Sequence, residues 1–199
     1  LVRWQNDKEM IYPDQFIPVL EKNGYVIDVD NFIWNKVCAC IKMMEDEGIE
    51  PVPISVNVSR MHVYQEKFTE NLKDMAGKYG IDPKYIPLEI TESAFTKEEG
   101  SLFKKVQSLQ GYGFKFSMDD FGSGYSSLGM LKSERVDEVK IDKTFVDDIA
   151  TDKGKVLLGN VIRMINELGI DMIAEGVETK EQADFLKENG CMYAQGYYY

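Results

Sequence analysis

The feature that most constrains the fold is a repeated pairing of a short apolar run with an amphipathic helical stripe. The apolar runs are Val52 to Val56, Ile86 to Ile90, Phe114 to Met118, Val136 to Ile141 and Asp171 to Ala174. Runs this short, apolar on successive residues, are expected of parallel strands buried on both faces. Between them lie helices with their own start and stop signals. Thr96-Lys97-Glu98-Glu99 reads as a capping box ahead of Leu102, Val106 and Leu109, with Gly111 as a stop. Thr179-Lys180-Glu181-Gln182 repeats the device before Ala183 and Leu186, with Gly190 closing that helix, and Leu157, Val161, Ile165 and Leu168 form an apolar stripe ending at Gly169. Strand and helix in alternation predict an α/β fold with a parallel sheet, either closed into a barrel or open and doubly wound. No GxGxxG follows the first strand and no GxxxxGK[ST] occurs, so the nucleotide signatures of open sheets are absent and a barrel is favoured.

With 199 residues and 44% hydrophobic content, the chain is long enough for one core and short for two domains, so a single domain over 1–199 is expected. It opens at Leu1 in an apolar stretch that reads as strand and closes on Tyr197-Tyr198-Tyr199, also read as strand; both ends look cut. No run approaches a membrane span, which predicts a soluble domain whose parent could still be membrane-anchored. The net charge of −11 opposes long polyanions, so DNA and RNA polymers are not expected partners. A small phosphorylated ligand remains compatible, because bound cations invert the field of an acidic pocket. Three cysteines at unpatterned spacing point to a reduced, cytoplasmic setting. His62 is the only histidine, so oxygen ligands and therefore Mg²⁺ or Mn²⁺ are favoured over zinc. That histidine itself reads as a surface or partly packed side chain.

The strands carry polar residues within them or at their C-terminal ends: Asn57, Glu89, Asp119 with Asp120, Lys140, Glu175 with Glu178, and Gln195. In a closed barrel such residues converge, because the C-terminal ends of all strands ring one mouth. Acids inside strands call for a compensating cation, and Lys140 alone cannot balance them. Asn57, Glu89 and Asp119 offer hard oxygen ligands, and Asp120 could share a second ion, a two-metal arrangement suited to phosphodiester hydrolysis. Glu175 and Lys140 would then orient or deprotonate water. Any one of these residues alone would read as an ordinary solvated strand end. The loop Asp119-Asp120-Phe121-Gly122-Ser123-Gly124-Tyr125-Ser126-Ser127, with two glycines next to two acids, reads as an active-site loop rather than a plain turn.

Taken in order, these segments resemble the EAL family of bacterial cyclic di-GMP-specific phosphodiesterase domains over the whole chain. The resemblance rests on Leu1-Val2-Arg3-Trp4, which looks like the tail of the signature with its Glu and Ala just before residue 1, and on Pro13-Asp14-Gln15-Phe16-Ile17-Pro18. It continues through Ser55-Val56-Asn57-Val58-Ser59, Leu88-Glu89-Ile90-Thr91-Glu92-Ser93, the glycine loop and Val136 to Asp142. Ile173-Ala174-Glu175-Gly176-Val177-Glu178-Thr179 and Ala194-Gln195-Gly196-Tyr197 complete it. The departures, Ser123 for the usual Thr, His62 where Gln is common, and Lys22-Asn23 for a more acidic stretch, remove no chemical group from the site.

The resemblance implies a TIM-like (β/α)8 barrel with one antiparallel strand, its first strand missing from this chain. It also implies hydrolysis of cyclic di-GMP to linear pGpG with two Mg²⁺ or Mn²⁺ ions. Asn57, Glu89 and Asp119 are implied as metal ligands and Asp120 as ligand to the second ion. Lys140 and Glu175 are implied in positioning and activating water, Gln195 and Arg3 near the substrate, and Glu92 as the anchor of the glycine loop, while Glu178 reads as structural. A homodimer coupled through segment 119–133 and fusion to GGDEF or sensory domains are further implications. The alternative is a catalytically inactive cyclic di-GMP receptor or scaffold, which the retention of Glu89, Asp119, Lys140 and Glu175 disfavours. A different metal-dependent barrel enzyme, such as a lyase, is the third reading.

Overall fold

The computed structural model of the protein describes residues 2–5, 9–95, 99–122, 131 and 136–199. Thr96 to Glu98 of the first expected capping box and the glycine loop from Ser123 onward lie outside the described residues. The chain divides into two compact units, one running to Leu88 and including Gly111–Phe114, the other formed by Glu89–Gln110 and Lys115–Tyr199.

In the first unit, β1 (Trp4–Gln5) pairs antiparallel with β2 (Met10–Ile11). Helix α1 (Pro13–Asn23) starts on a proline, whose missing N–H costs nothing there, and stops at Gly24 with φ 83°. Helix α2 (Val26–Asp46) buries Val26, Asp30, Trp34, Cys38 and Ile41, one residue per turn along a single face. The expected strand at Val52 to Val56 is extended but regular only at β3 (Val56–Asn57). Its ladder is nevertheless present: the Ile54 and Val56 amides donate to the Tyr85 and Pro87 carbonyls, both at 2.9 Å. Pro53, just before them, has no amide to offer and cannot extend the ladder backwards. Helices α3 (Arg60–Val63), capped by the Ser59 hydroxyl, and α4 (Phe68–Tyr79) follow.

His62 is fully buried, at 2% exposure, rather than at the surface or only partly packed, as its sequence context suggests. Its ring lies 4.4 Å from that of Trp34, and its Nε2 is 3.5 Å from the Asp30 carboxylate. A short helix beside the long apolar face of α2 turns this imidazole inward, and nothing local in sequence signals that.

The second unit takes β4 (Leu88–Thr91) from Glu89 onward, then α5 (Glu92–Phe95), α6 (Glu99–Gln110), β5 (Phe116–Phe121) and β6 (Glu138–Ile141). After these come α7 (Lys143–Asp147), α8 (Asp152–Glu167), β7 (Asp171–Ala174), α9 (Lys180–Glu188) and β8 (Tyr193–Ala194). The strands lie in the order β4-β5-β6-β7-β8, and β5 to β8 pair in parallel. Sequence order therefore equals spatial order, with a helix crossing between β6 and β7 and between β7 and β8, as the alternation predicted. Leu102, Val106 and Leu109 of α6 are fully buried, as their spacing required.

Two expectations are corrected here. On α8 the buried face is Leu158, Ile162 and Ile165, while Leu157 and Leu168 are about half exposed. Both stripes have helical spacing and share Ile165. The choice is fixed by Gly154 on the buried face, where an added Cβ would lie 1.9 Å from the Asp148 carbonyl oxygen. The terminal tyrosines are not strand: Tyr197 and Tyr198 form a turn beyond β8, and the Tyr199 amide bonds back to the Gly196 carbonyl at 3.3 Å.

Candidate active site

Strand alternation places Glu89 of β4, Asp119 of β5 and Lys140 of β6 in one cluster of the second unit, with Glu175 just past the end of β7. The Lys140 Nζ lies 3.0 Å from Glu89 Oε1, 3.6 Å from Asp119 Oδ1 and 2.6 Å from Glu175 Oε1. Gln195, one residue beyond β8, donates from Nε2 to the same Glu175 oxygen at 2.6 Å. Acids from β4, β5 and the end of β7 thus meet around the ammonium carried by β6, and Gln195 beyond β8 joins them through Glu175. Asn57, at the end of β3, and Arg3, just before β1, are exposed residues of the first unit. Arg3 stacks its guanidinium over Tyr12, 5.4 Å from the ring centre.

Asp119 and Asp120 would point to opposite faces of a regular strand. They do not, because Asp120 has φ 57° and the β5–β6 register shifts between Met118 and Phe121. Aspartate is among the few residues that take this left-handed conformation readily, and a bulge of this kind re-aims a side chain. As a result Asp119, Asp120 and Glu175 each offer a carboxylate oxygen, all within 4.8 Å of one another. Glu175 thereby joins the two aspartates as a possible ligand, a grouping that sequence reasoning, which gave Glu175 only to water, did not contain.

The electrostatics call for a cation. Burial pushes the Asp119 carboxyl above the ordinary carboxylate range; Lys140 pulls it down and Glu89 pushes it up again. Glu175 is raised by burial against the pull of Lys140. Asp120 is raised by burial and then by the charges of Asp119 and Asp142. Burial works against the Lys140 charge, but Glu89, Asp119 and Glu175 outweigh it and hold its pKa above that of an ordinary lysine. One ammonium among four acids leaves negative charge uncompensated in partly dry surroundings. Hard carboxylate oxygens at this spacing are the donor set that Mg²⁺ or Mn²⁺ prefers.

Around this cluster the backbone is tightly specified. The buried Glu92 carboxylate accepts the Gly122 amide at 3.2 Å, at the start of the glycine loop. Gly122 has φ 96°, and an added Cβ would fall 1.8 Å from the Phe145 ring. Glu178 pairs with Lys143 at 2.9 Å, away from the acid cluster, in keeping with a structural role.

Acids from consecutive strands, arranged around one lysine and close enough that a cation could be shared among them, mark an α/β protein with its polar site at the strand ends. The chain belongs to the EAL domain family, whose sequence model matches residues 1–199, and it has the TIM-like barrel fold of that family. It is 34% identical over 201 residues to the oxygen sensor protein DosP of Escherichia coli (strain K12), an alignment covering 100% of this chain and 25% of DosP. To the probable cyclic di-GMP phosphodiesterase PdeB of the same organism it is 35% identical over 205 residues, covering 100% of this chain and 38% of PdeB. Among solved structures, the PaMucR phosphodiesterase in complex with c-di-GMP superposes with a TM-score of 0.92 at 29% identity, over 98% of this chain and 80% of that one. The chain spans a quarter to two fifths of the length of these two curated relatives. Among the described residues, no helix is long and apolar enough to cross a membrane.

Proposed function

We propose that this domain hydrolyses cyclic di-GMP to linear pGpG with Mg²⁺ or Mn²⁺ as cofactor. The observation that carries the reading is the position of Glu175, whose Oε1 is held at 2.6 Å by both Lys140 and Gln195 while the carboxylate stays grouped with Asp119 and Asp120. Asn57, Glu89, Asp119 and Asp120 are the proposed ligands, Arg3 and Gln195 the proposed substrate contacts. When bound, the divalent ions supply Lewis acidity to the phosphate oxygens and ease deprotonation of water. With Oε1 fixed twice over, Glu175 presents its second oxygen to a water and takes its proton. The water oxygen forms the new bond to phosphorus as the P–O3′ bond breaks; the 3′-oxygen leaves as a hydroxyl with a proton drawn from solvent, and Glu175 releases the proton it took back to solvent. Lys140 keeps Glu175 ionised and aimed.

The test is chromatographic detection of pGpG from cyclic di-GMP with Mn²⁺ or Mg²⁺ present. Glu175→Ala should lower turnover by roughly 10²- to 10⁴-fold, the usual worth of a positioned base, with the circular dichroism spectrum unchanged. Tight cyclic di-GMP binding without product after long incubation would instead identify a receptor.

A further inference from the structure

Glu175 opens the segment 175–179 that links β7 to α9, and the geometry points to Gln182 as the positioning residue that braces this segment against α7. Gln182 is the third residue of α9 and only 8% exposed. As a capping residue it needs to accept a single amide, that of Thr179, which donates to Oε1 at 2.9 Å. It does more. Oε1 also accepts the Glu178 amide at 2.7 Å, and Nε2 reaches the Val146 carbonyl at 3.5 Å and the Asp147 carboxylate at 3.4 Å, both on α7. Helix α7 follows directly from β6, the strand that carries Lys140.

Other contacts converge on the same short segment. Lys143 of α7 lies across Gly176, where an added Cβ would meet its Cγ at 2.5 Å, and its ammonium joins Glu178 at 2.9 Å and Asp147 at 3.1 Å. The Val177 amide donates to the Gln195 carbonyl at 3.1 Å and the Glu175 amide to the Ile141 carbonyl at 3.0 Å. The exposed ion pairs are weak individually. The buried amide of Gln182 is the element that water does not replace, so it carries the link between the Glu175 segment and the Lys140 strand. Its role is to hold Glu175 at its contact with Lys140, and it touches neither substrate nor metal.

This inference rests on the reading of Glu175 as the water-activating group, and the experiment separates the two. Gln182→Glu keeps both acceptor contacts and remains a good capping residue, but it loses the Nε2 donor and sets a carboxylate against Asp147. A residue that only caps α9 would be unaffected by this change. A brace predicts that kcat falls on the order of tenfold, because small displacements of a reacting group are costly, with KM and cyclic di-GMP affinity unchanged. It also predicts that hydrogen exchange at the Glu175 and Val177 amides quickens about fivefold, the worth of one hydrogen bond. Adding Asp147→Asn to that variant supplies a donor from the other side and restores both readouts. Asp147→Ala alone, with Gln182 intact, moves both in the same direction by less. Wild-type exchange and kcat in Gln182→Glu would overturn the inference while Glu175→Ala remained inactive. Full turnover in Glu175→Ala would overturn the reading of Glu175, and the exchange rates would still decide the brace.

Discussion

Lys140 offers the sharpest test of the electrostatics. Its side chain is 9% exposed and its three partners, Glu89, Asp119 and Glu175, are 8, 14 and 19% exposed. Lys140→Met keeps most of the buried stem and deletes the ammonium. Stranding a buried partner typically costs about 3–5 kcal/mol. The partners here keep some contact with water and can take up a proton, so the lower end applies, about 3 kcal/mol at pH 8 without divalent ions. In a chain of this size that corresponds to roughly 6–12 °C in Tm.

The sign of the pH dependence follows from the shifts. Burial raises the Asp119 and Glu175 pKa values, so the folded chain keeps protons there that the unfolded chain has released. Stability from that source is present at low pH and is lost as pH rises from the unfolded carboxylate range through the raised folded values. Removing Lys140, which pulls both groups down, moves the upper edge of that window higher. The Lys140→Met penalty should therefore be large at pH 8 and small at pH 5, and on the proposed metal site Mn²⁺, as a ligand of the folded state alone, should recover part of it at pH 8. Urea unfolding of both proteins in EDTA at the two pH values measures it. An equal penalty at pH 5 and pH 8 would refute the reasoning, since a pure packing loss does not titrate.

Two further outcomes follow from sites outside the acid cluster. Gly122→Ala combines a left-handed φ with a Cβ inside the Phe145 ring and should lower stability by about 2–3 kcal/mol in thermal melts; Phe145→Leu in the same background should recover part of that loss. Asp30 is raised to about 7 by burial, against the opposing hydrogen bond from the Ser59 amide. A raised acid costs stability as pH climbs from about 4 to about 7 and the cost is then constant, so Asp30→Asn should gain on the wild type across that window, by up to about 4 kcal/mol. A difference that stays flat from pH 4 to pH 8 would show that Asp30 is not titrating in the fold.

What the sequence disclosed and what it hid divide along physical lines. Glu89, Asp119, Lys140 and Glu175 stood out because charged residues in or at the ends of apolar strands need partners, and strands in sequence order bring those partners from the next strand or the one beyond it. The buried face of α8 was ambiguous because two stripes fit one helical period, and a backbone contact at Gly154 decided between them. His62 was misread because its burial depends on Trp34 and Phe68, which pack against it from other helices. Hidden most deeply was that Glu175 joins Asp119 and Asp120, and how two adjacent aspartates come to share a face. Strand periodicity argues against two adjacent residues sharing a face, and only the left-handed backbone at Asp120 reverses that. Such a conformation on a non-glycine residue costs on the order of 1 kcal/mol and persists where the surroundings hold it. A stability-neutral or stabilising Asp120→Gly exchange, accompanied by weaker Mn²⁺ binding, is the outcome expected on the proposed ligand set, because glycine relieves the backbone while removing one of its carboxylates.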